Sequence, residues 1–401
     1  MIDVQQEIVV DPNGVARHAG SDVQEGEFVD TVRLKAERSL YFFVKAILGR
    51  SYLNAKLHGG LAVTLTTSPP YRKQVLLPRE HCKTTLVNHG IPAHAIIQPK
   101  DHNIYVPGRA GVDSRILIAG ETLDRASKGL GVLQTGIFEN NKLFRALWPH
   151  CIWEEKPSKR WNANEMVVPR NVDYPDPTVQ ALGVGGAVAG ARYDIVIKDD
   201  LISLNAANSP AEMSSAINWH RASRALFESD QTLEYIIGTR WAVFDLYSFI
   251  AEGGLLDGEY FDPDYTVHAV TRSMIEDGVA IYPEKFSLLP TPGKQDVEML
   301  KKQFGLLFYL NYMNSAANPE LTDFSIEDMR FFNIENDFVV FDDTDKAFGS
   351  DVVEASKPVD FEDEHVKQRE MDDGVRGKRM GEVLDIVQMR KEHLGPLSWR
   401  R

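Results

Sequence analysis

Short apolar runs alternate with helical patterns along most of this chain, and several of these runs end in polar or charged residues. An apolar run of four to eight residues between turn signals is typical of a buried strand. Strands that alternate with helices are typical of a parallel α/β sheet. The clearest runs are residues 74–77, 114–120, 193–198 and 233–238. We therefore predict a mostly parallel sheet flanked by helices.

Helical periodicity is clearest at residues 28–48, 211–228 and 296–313. Thr122 is a predicted N-cap for a further helix that follows the second apolar run. The aromatic residues 41–43 have two interpretations: they stack on an adenine, or they pack in a helix core. The core interpretation is favoured, since apolar stripes are usually the buried face of a helix.

The composition is that of an ordinary globular protein, with 401 residues of which 43% are hydrophobic and 25% charged. No apolar stretch is long enough to span a bilayer, and the N-terminus lacks the features of a signal peptide. Cys82 and Cys151 form no disulfide framework and suit a reducing compartment. The net charge of −14 argues against a general nucleic-acid binder, but it is compatible with transient or local phosphate contacts.

Residues 74–85 have the layout of a phosphate-binding loop, in which an apolar strand, a polar turn and the start of a helix follow one another. The candidate loop residues are Pro78, Arg79, Glu80, His81, Cys82, Lys83, Thr84 and Thr85. In such loops backbone N–H groups hold phosphate, the lysine reaches the terminal phosphates and the hydroxyl binds Mg²⁺. Both signature glycines are missing, with Leu77 and Cys82 in their places, so the motif is weak by itself.

Two polar clusters follow the later predicted strands. Asp199 and Asp200 would lie at the carboxyl end of one strand, where open α/β sheets bind ligands. They would hold Mg²⁺ and orient or deprotonate a water for attack on a γ-phosphate. The alternative interpretation is that they only form an acidic turn after the strand. Gly238, Thr239 and Arg240 end the next strand, and Thr239 or Arg240 would sense the γ-phosphate. Together with Lys83-Thr84, these clusters form a coherent set.

Two other site types fit less well. The glycine-rich residues 183–190 precede a strand and do not open a helix, so they fail the context test for a dinucleotide fingerprint. A zinc site from His81, Cys82 and His89 would supply too few ligands.

The order of the motifs and their amino-acid sequences resemble those of the large, motor subunit of tailed-phage terminases. The resembling segments are residues 77–85, 116–122, 193–200, 238–241 and 309–314, within about residues 28–324. The family's phosphate loop often lacks the first glycine and carries an arginine. Cys82 departs from the family, which has a glycine or other small residue there. Asp200 departs as well, because many relatives have Glu; the shorter side chain places its carboxylate roughly 1.5 Å nearer the backbone.

The resemblance implies a P-loop NTPase fold of the ASCE, RecA-like type that hydrolyses ATP to drive DNA into a prohead. It implies ATP and Mg²⁺ as cofactors, with Lys83, Thr84 and Asp199 as their ligands. Arg79 and Asp200 would be catalytic, and residues 238–240 would couple hydrolysis to movement. Residues 28–45 match, loosely, the region that holds adenine.

The implied partners are double-stranded DNA, the portal protein, the small terminase subunit and other copies of the chain in a ring, a pentamer. The implied location is the host cell cytoplasm, transiently at the prohead portal, with no membrane role. A neighbour's arginine would complete each site in a ring, and Arg170, Arg192 and Arg224 are unranked candidates.

The predicted organisation is a flexible N-terminal arm at residues 1–25, a motor domain at 26–325 and a charged extension at 326–401. The family normally adds an RNase-H-like nuclease, whose two metals need carboxylates from several strands. Only residues 338–343 resemble such a strand, so we expect no nuclease activity from this chain alone. The nuclease either resides on a separate polypeptide or is missing because the chain is truncated.

Two other functions stay open. The missing glycines would suit a degenerate nucleotide-binding scaffold. Another ASCE ATPase, such as a helicase, would share the same motifs.

Overall fold

The computed structural model describes residues 8–10, 16–18, 25–155, 160–187, 190–251, 267–315, 332–335 and 338–341. The chain divides into two units, Met1–Asn318 and Pro319–Arg401. Strands β1 (Ile8–Val10) and β2 (Ala16–His18) pair antiparallel within the segment predicted to be a flexible arm.

A seven-stranded sheet forms the centre of the first unit. Its strands are β3 (Arg72–Leu76), β4 (Ile116–Gly120), β5 (Glu165–Met166), β6 (Val179–Gly183), β7 (Ile195–Asp199), β8 (Leu233–Gly238) and β9 (His268–Thr271). Their order across the sheet is β5-β6-β4-β7-β8-β3-β9, and every pair is parallel except β5 with β6. Strands β4 and β8 are buried along their whole length, as expected where helices cover both faces. The predicted mostly parallel sheet is confirmed.

The register aligns the carboxyl ends of the central strands. Leu76 of β3 lies opposite Gly238 of β8, and Asp199 of β7 lies opposite both Ile237 of β8 and Gly120 of β4. The loops that leave these strands therefore start side by side at one edge of the sheet.

Helices surround the sheet. The α-helices are Glu25–Arg38, Leu40–Phe42, Gly60–Thr66, Ile91–Ile96, Leu123–Gly131, Lys142–Leu147, Leu204–Ala207, Pro210–Ala222, Leu246–Ala251, Val297–Phe304 and Leu306–Asn311. Wider, π-type turns occur at Phe43–Ile47, Ala55–Gly59, Thr85–Gly90 and Val132–Glu139. Tighter 3₁₀ turns occur at Lys100–His102, Gly111–Asp113, Pro149–Cys151 and Ser223–Leu226.

Three predicted helical features can be compared with these bounds. The helix predicted at residues 28–48 is interrupted at Ser39, whose hydroxyl accepts a hydrogen bond from the Phe42 N–H and so starts a new helix. The helix predicted at residues 296–313 is divided at Gly305, where φ is 54°. Thr122 caps its helix as predicted, accepting from the Arg125 N–H at 3.3 Å.

Short strand pairs complete the described chain. In the first unit β10 (Ile275–Glu276) pairs antiparallel with β11 (Val279–Ala280), and β12 (Phe286–Ser287) pairs parallel with β13 (Gln295–Asp296). In the second unit β14 (Phe332–Glu335) pairs antiparallel with β15 (Phe338–Phe341), which confirms the strand predicted there. Residues 342–401 of the predicted charged extension lie outside the described residues.

Candidate functional site

The candidate phosphate loop, residues 78–85, and the paired acids Asp199 and Asp200 meet at the carboxyl edge of the sheet. The Thr84 hydroxyl donates to Asp199 Oδ1 at 3.4 Å, and the Lys83 ammonium lies 3.8 Å from Asp200 Oδ1. Strand β8 alone separates β3 from β7, so the two loops have about 10 Å to bridge, twice the spacing of adjacent strands. The structure thus brings together four residues that sequence reasoning assigned to one site.

Asn88 belongs to the same cluster and was missed from the sequence. Its side-chain amide donates to Asp199 Oδ2 at 2.8 Å, and the residue is buried. Asn88 follows Thr84 by one helical turn, a spacing that places both side chains on one face. This four-residue spacing is the sequence feature from which Asn88 could have been predicted as a site residue.

The carboxylates of Asp199 and Asp200 lie close together, with Lys83 as the cation that is paired with them. Burial, and then the Asp200 carboxylate, raise the pKa of Asp199 to about 6, although the Asn88 amide, Lys83 and Thr84 act in the opposite direction. Asp200 Oδ1 is buried and accepts no hydrogen bond from the described residues. Asp200 also has a φ of 47°, a left-handed conformation that costs free energy for a residue with a side chain. Such a carboxylate pair suits a cation.

The loop itself contains two left-handed residues without a glycine. Glu80 has a φ of 63° and Cys82 a φ of 59°. Glycine adopts such angles at little cost because it has no Cβ. Cys82 therefore adopts a backbone conformation that glycine would adopt at lower cost, at the position where the motif expects a glycine. The sequence gave no signal for the same conformation at Glu80.

His81 packs beneath the loop. Its ring is buried and stacks on Phe286, with centroids 4.8 Å apart and an interplanar angle of 8°. Burial lowers the pKa of His81 to about 4, so the ring is neutral, and its Nδ1–H donates to the Arg79 carbonyl at 2.8 Å. The side chain therefore helps to fix the backbone of the loop.

His58 holds the same part of the loop from below. The Asn54 N–H donates to His58 Nδ1 at 2.8 Å, so the proton of the neutral ring is on Nε2. His58 Nε2 then donates to the His81 carbonyl at 3.2 Å. A buried histidine thus fixes the loop backbone over a sequence separation of 23 residues.

Arg79 contacts the segment that follows strand β8 and the end of the helix Leu306–Asn311. Its N–H donates to the Asn311 carbonyl at 3.0 Å, and its guanidinium carbon lies 5.0 Å from the centroid of the Trp241 ring. The predicted in-loop arginine is therefore held on the residue that immediately follows the predicted coupling segment.

The coupling segment is tightly packed. A Cβ on Gly238 would lie 2.1 Å from Tyr247 Cζ, so only glycine fits there. Thr239 is buried. Arg240 donates through Nε to Asp245 Oδ2 at 3.1 Å and through Nη2 to the Val243 carbonyl at 2.6 Å. The Arg240 guanidinium is thus bound within its own loop, and this geometry does not favour its predicted role as a phosphate sensor.

Two asparagines link three strand ends. Asn311 Nδ2 donates to the Arg240 carbonyl at 3.0 Å. The backbone carbonyl of Asn311 accepts a hydrogen bond from the Arg79 N–H. Asn314 Nδ2 donates to the Arg272 carbonyl at 2.9 Å. The segments that follow β3, β8 and β9 are therefore tied to the end of one helix. Sequence reasoning included this segment in the resemblance but assigned it no role.

A cavity of about 730 Å³ opens beside the phosphate loop. Its lining residues are Lys45, Ser51, Tyr52, Leu53, Glu80, His81, Cys82, Lys83, Thr84, Thr85, Tyr282, Glu284, Lys285 and Gly293.

Of the aromatic residues 41–43, Phe43 is buried against Trp148 at 5.9 Å between ring centroids, which confirms the core interpretation for that residue.

All three candidate arginines, Arg170, Arg192 and Arg224, have partners in their own chain. Arg170 donates through Nη1 to the Asp176 carbonyl at 2.8 Å and through Nη2 to the Tyr174 carbonyl at 2.6 Å. Arg192 donates through Nη1 to the Ala191 carbonyl at 3.1 Å and to the Ala225 carbonyl at 2.5 Å. The Arg170 side chain is only 8% exposed, so it is poorly accessible to another subunit.

Comparison of the chain with known proteins identifies no family for it. No protein-family model matches the chain, and no curated protein matches it significantly. Within the described residues, no group of three or more His, Cys, Asp or Glu side chains is placed to hold a metal. In the same part of the chain, every helix is too short or too polar to cross a bilayer.

Proposed function

We propose that this chain is a Mg²⁺-dependent ATPase and the motor subunit of a DNA-packaging terminase. One observation carries the ATPase proposal: Lys83 and Thr84 of the loop lie against Asp199 and Asp200, which come from a strand two positions away in the sheet. Phosphoryl transfer needs this combination of a cation, a hydroxyl and carboxylates.

The donor set fits Mg²⁺ better than other metals. Thr84 Oγ1 and the Asp199 carboxylate are hard oxygen ligands, and Mg²⁺ in nucleotide sites usually takes one or two such ligands together with phosphates and waters. The raised pKa of Asp199 also fits, because a cation would relieve the repulsion between the two carboxylates. When bound, Mg²⁺ would neutralise charge on the phosphates of ATP.

The remaining roles follow from position. The helical turn at Lys83 and Thr84 leads into the π-type turn Thr85–Gly90, and the N-terminus of this helical segment would direct backbone N–H groups toward a phosphate. The Lys83 ammonium would leave Asp200 for the γ-phosphate, since the two groups are 3.8 Å apart and share no short contact. Asp200 would then be free to orient and deprotonate the attacking water. The single strand β8 between β3 and β7 supports the ASCE type of P-loop fold within this proposal.

The DNA-packaging part of the proposal rests on the motif resemblance. The link from Arg79 through Asn311 to Arg240 is consistent with it, because it joins the nucleotide loop to the segment that would couple hydrolysis to movement. The proposal includes double-stranded DNA, a portal protein, a small terminase subunit and a ring of copies, a pentamer, as partners.

Steady-state ATP hydrolysis tests the enzyme. Lys83→Ala and Asp199→Asn should abolish hydrolysis, while Lys294→Ala, an exposed lysine substitution, should leave it unchanged. Nucleotide binding by the wild type without hydrolysis, alone or assembled, would favour the scaffold alternative. Packaging of linear DNA into empty proheads, lost in Asp199→Asn, would separate a packaging motor from a helicase.

A further inference from the structure

Three consecutive residues of the phosphate loop contact one distant segment, residues 282–295, which we call the clamp segment. Glu80 forms an ion pair with Lys285 at 2.6 Å and accepts from Gln295 Nε2 at 3.0 Å. His81 stacks on Phe286, and Cys82 shares a hydrogen bond with Tyr282. The clamp segment is also fixed to the other wall of the cavity, since the Tyr282 hydroxyl donates to the Tyr52 carbonyl at 2.8 Å.

The clamp segment also adds a lysine to the cavity that Lys83 and Lys45 line. Lys285 lines the same cavity, and it is the partner of Glu80, a residue of the loop itself. The Lys45 ammonium donates to the Ser51 and Leu53 carbonyls, each at 2.6 Å. Lys83 and Lys285 face the same cavity beside a helix N-terminus and form a site for a polyphosphate. We propose that Lys285 is a second phosphate-binding residue of this site, which exchanges Glu80 for the phosphates when ATP binds. This inference rests on the proposed ATPase function.

The exchange is energetically reasonable. The side chains of Lys285 and Glu80 are 35% and 41% exposed, and ion pairs at such exposure contribute little to stability. A phosphate carries more charge than a carboxylate and accepts charge-assisted hydrogen bonds from a lysine. Before ATP binds, Glu80 balances the charge of Lys285 close to Lys83. After the exchange, the position of the clamp segment would depend on the bound phosphates.

A purely structural role makes a different prediction. If Lys285 only anchored the loop through Glu80, removing either partner would disturb the loop equally. If Lys285 binds phosphate, removing Glu80 frees the lysine, and removing Lys285 loses a ligand. The two substitutions Lys285→Ala and Glu80→Gln should then act in opposite directions.

Calorimetric binding of a non-hydrolysable ATP analogue with Mg²⁺ to the full chain tests the inference. Lys285→Ala should weaken binding about tenfold, which corresponds to about 1.4 kcal/mol, and should leave the binding of adenosine unchanged. Glu80→Gln should bind the analogue as tightly as the wild type or more tightly. Lys294→Ala, which removes the same charge from the same segment, should match the wild type.

The outcomes separate the inference from the function on which it rests. Equal weakening by Lys285→Ala and Glu80→Gln would show that the ion pair only anchors the loop and would overturn the inference. An unchanged affinity in Lys285→Ala would overturn it as well, and in both cases the ATPase proposal would stand. Absence of binding by the wild type would instead overturn the ATPase proposal. Thermal unfolding of each variant shows whether the compared proteins are folded.

Discussion

The guanidinium carbon of Arg79 lies 5.0 Å from the centroid of the Trp241 ring, so an arginine of the phosphate loop rests on the residue that follows the Gly238–Arg240 turn. The Arg79 N–H and the Arg240 carbonyl are also bound to the same residue, Asn311. In the proposed ATPase, a movement of Arg79 on nucleotide binding would therefore displace the residues at the end of β8. This geometry gives a physical route for coupling within the proposed motor.

Arg79 and Trp241 should contribute very differently to hydrolysis. A cation–π contact at a partly exposed site is worth about 0.5–1 kcal/mol, so Trp241→Ala should change kcat less than about tenfold. Arg79→Ala should lower kcat by at least about 100-fold, because in the proposed ATPase Arg79 would stabilise transition-state charge. Trp241→Phe, which keeps an aromatic face, is the control. Similar losses in Arg79→Ala and Trp241→Ala would mean that Arg79 acts only through the ring.

Asp199 should make stability depend on pH when Mg²⁺ is absent. Its pKa is about 6 in the folded chain against an ordinary value of 3.8, so the folded state keeps this proton to higher pH than the unfolded state. The carboxyl therefore becomes destabilising as pH rises from about 4 to 6, and it remains so above 6. Asp199→Asn should raise the Tm at pH 7.5 by roughly 2–6 °C, and the gain should shrink as the pH approaches 4.

The control for this measurement is Asp230→Asn, which changes an exposed aspartate and should leave the Tm unaltered. Mg²⁺ with an ATP analogue should raise the Tm of the wild type and leave that of Asp199→Asn unchanged. A lower Tm for Asp199→Asn in Mg²⁺-free buffer would contradict the destabilising role of the ionised pair.

The sequence was sufficient to predict the four central strands of the sheet, β3, β4, β7 and β8, and the polar residues at their ends. Apolar runs such as Ile195–Asp199 are local signals, and parallel strands bring their carboxyl ends to one edge, which is why Lys83 and Asp199 could be assigned to one site before their distance was known. The break at Ser39 was also accessible, because serine is a preferred N-cap.

The contacts that shape the site could not be predicted in this way. Glu80 and Gln295 are separated by 215 residues, and neither belongs to a phosphate-loop motif. The left-handed backbone of Glu80 is imposed by its surroundings and not by its side chain. The role of Asn311 likewise depends on two strand ends that meet only in the folded chain.

Gly238 should tolerate no side chain. A Cβ there would lie 2.1 Å from Cζ of Tyr247, a fully buried ring that has little room to move. Gly238→Ala should therefore destabilise the chain by about 1–3 kcal/mol, the usual effect of overpacking a core. Gly131→Ala is the matched control: its Cβ would meet nothing within 4 Å, and alanine should stabilise the helix by up to about 1 kcal/mol. Denaturant unfolding measures both; equal stability of the two variants would argue against the close approach of Tyr247.

Cys82 should be replaceable by glycine but not by a β-branched residue. At a φ of 59°, glycine would relieve backbone strain of about 1 kcal/mol, which offsets the lost contact between the thiol and Tyr282. Cys82→Gly should thus retain ATP hydrolysis and differ from the wild type by less than about 1 kcal/mol in unfolding free energy. Cys82→Val should lose more than that, because valine resists left-handed angles, and should weaken ATP binding by deforming the loop. Cys82→Ala, which keeps a Cβ without branching, should fall between them; a glycine variant less stable than the valine variant would show that the thiol contact, and not the backbone angle, decides the fit of residue 82.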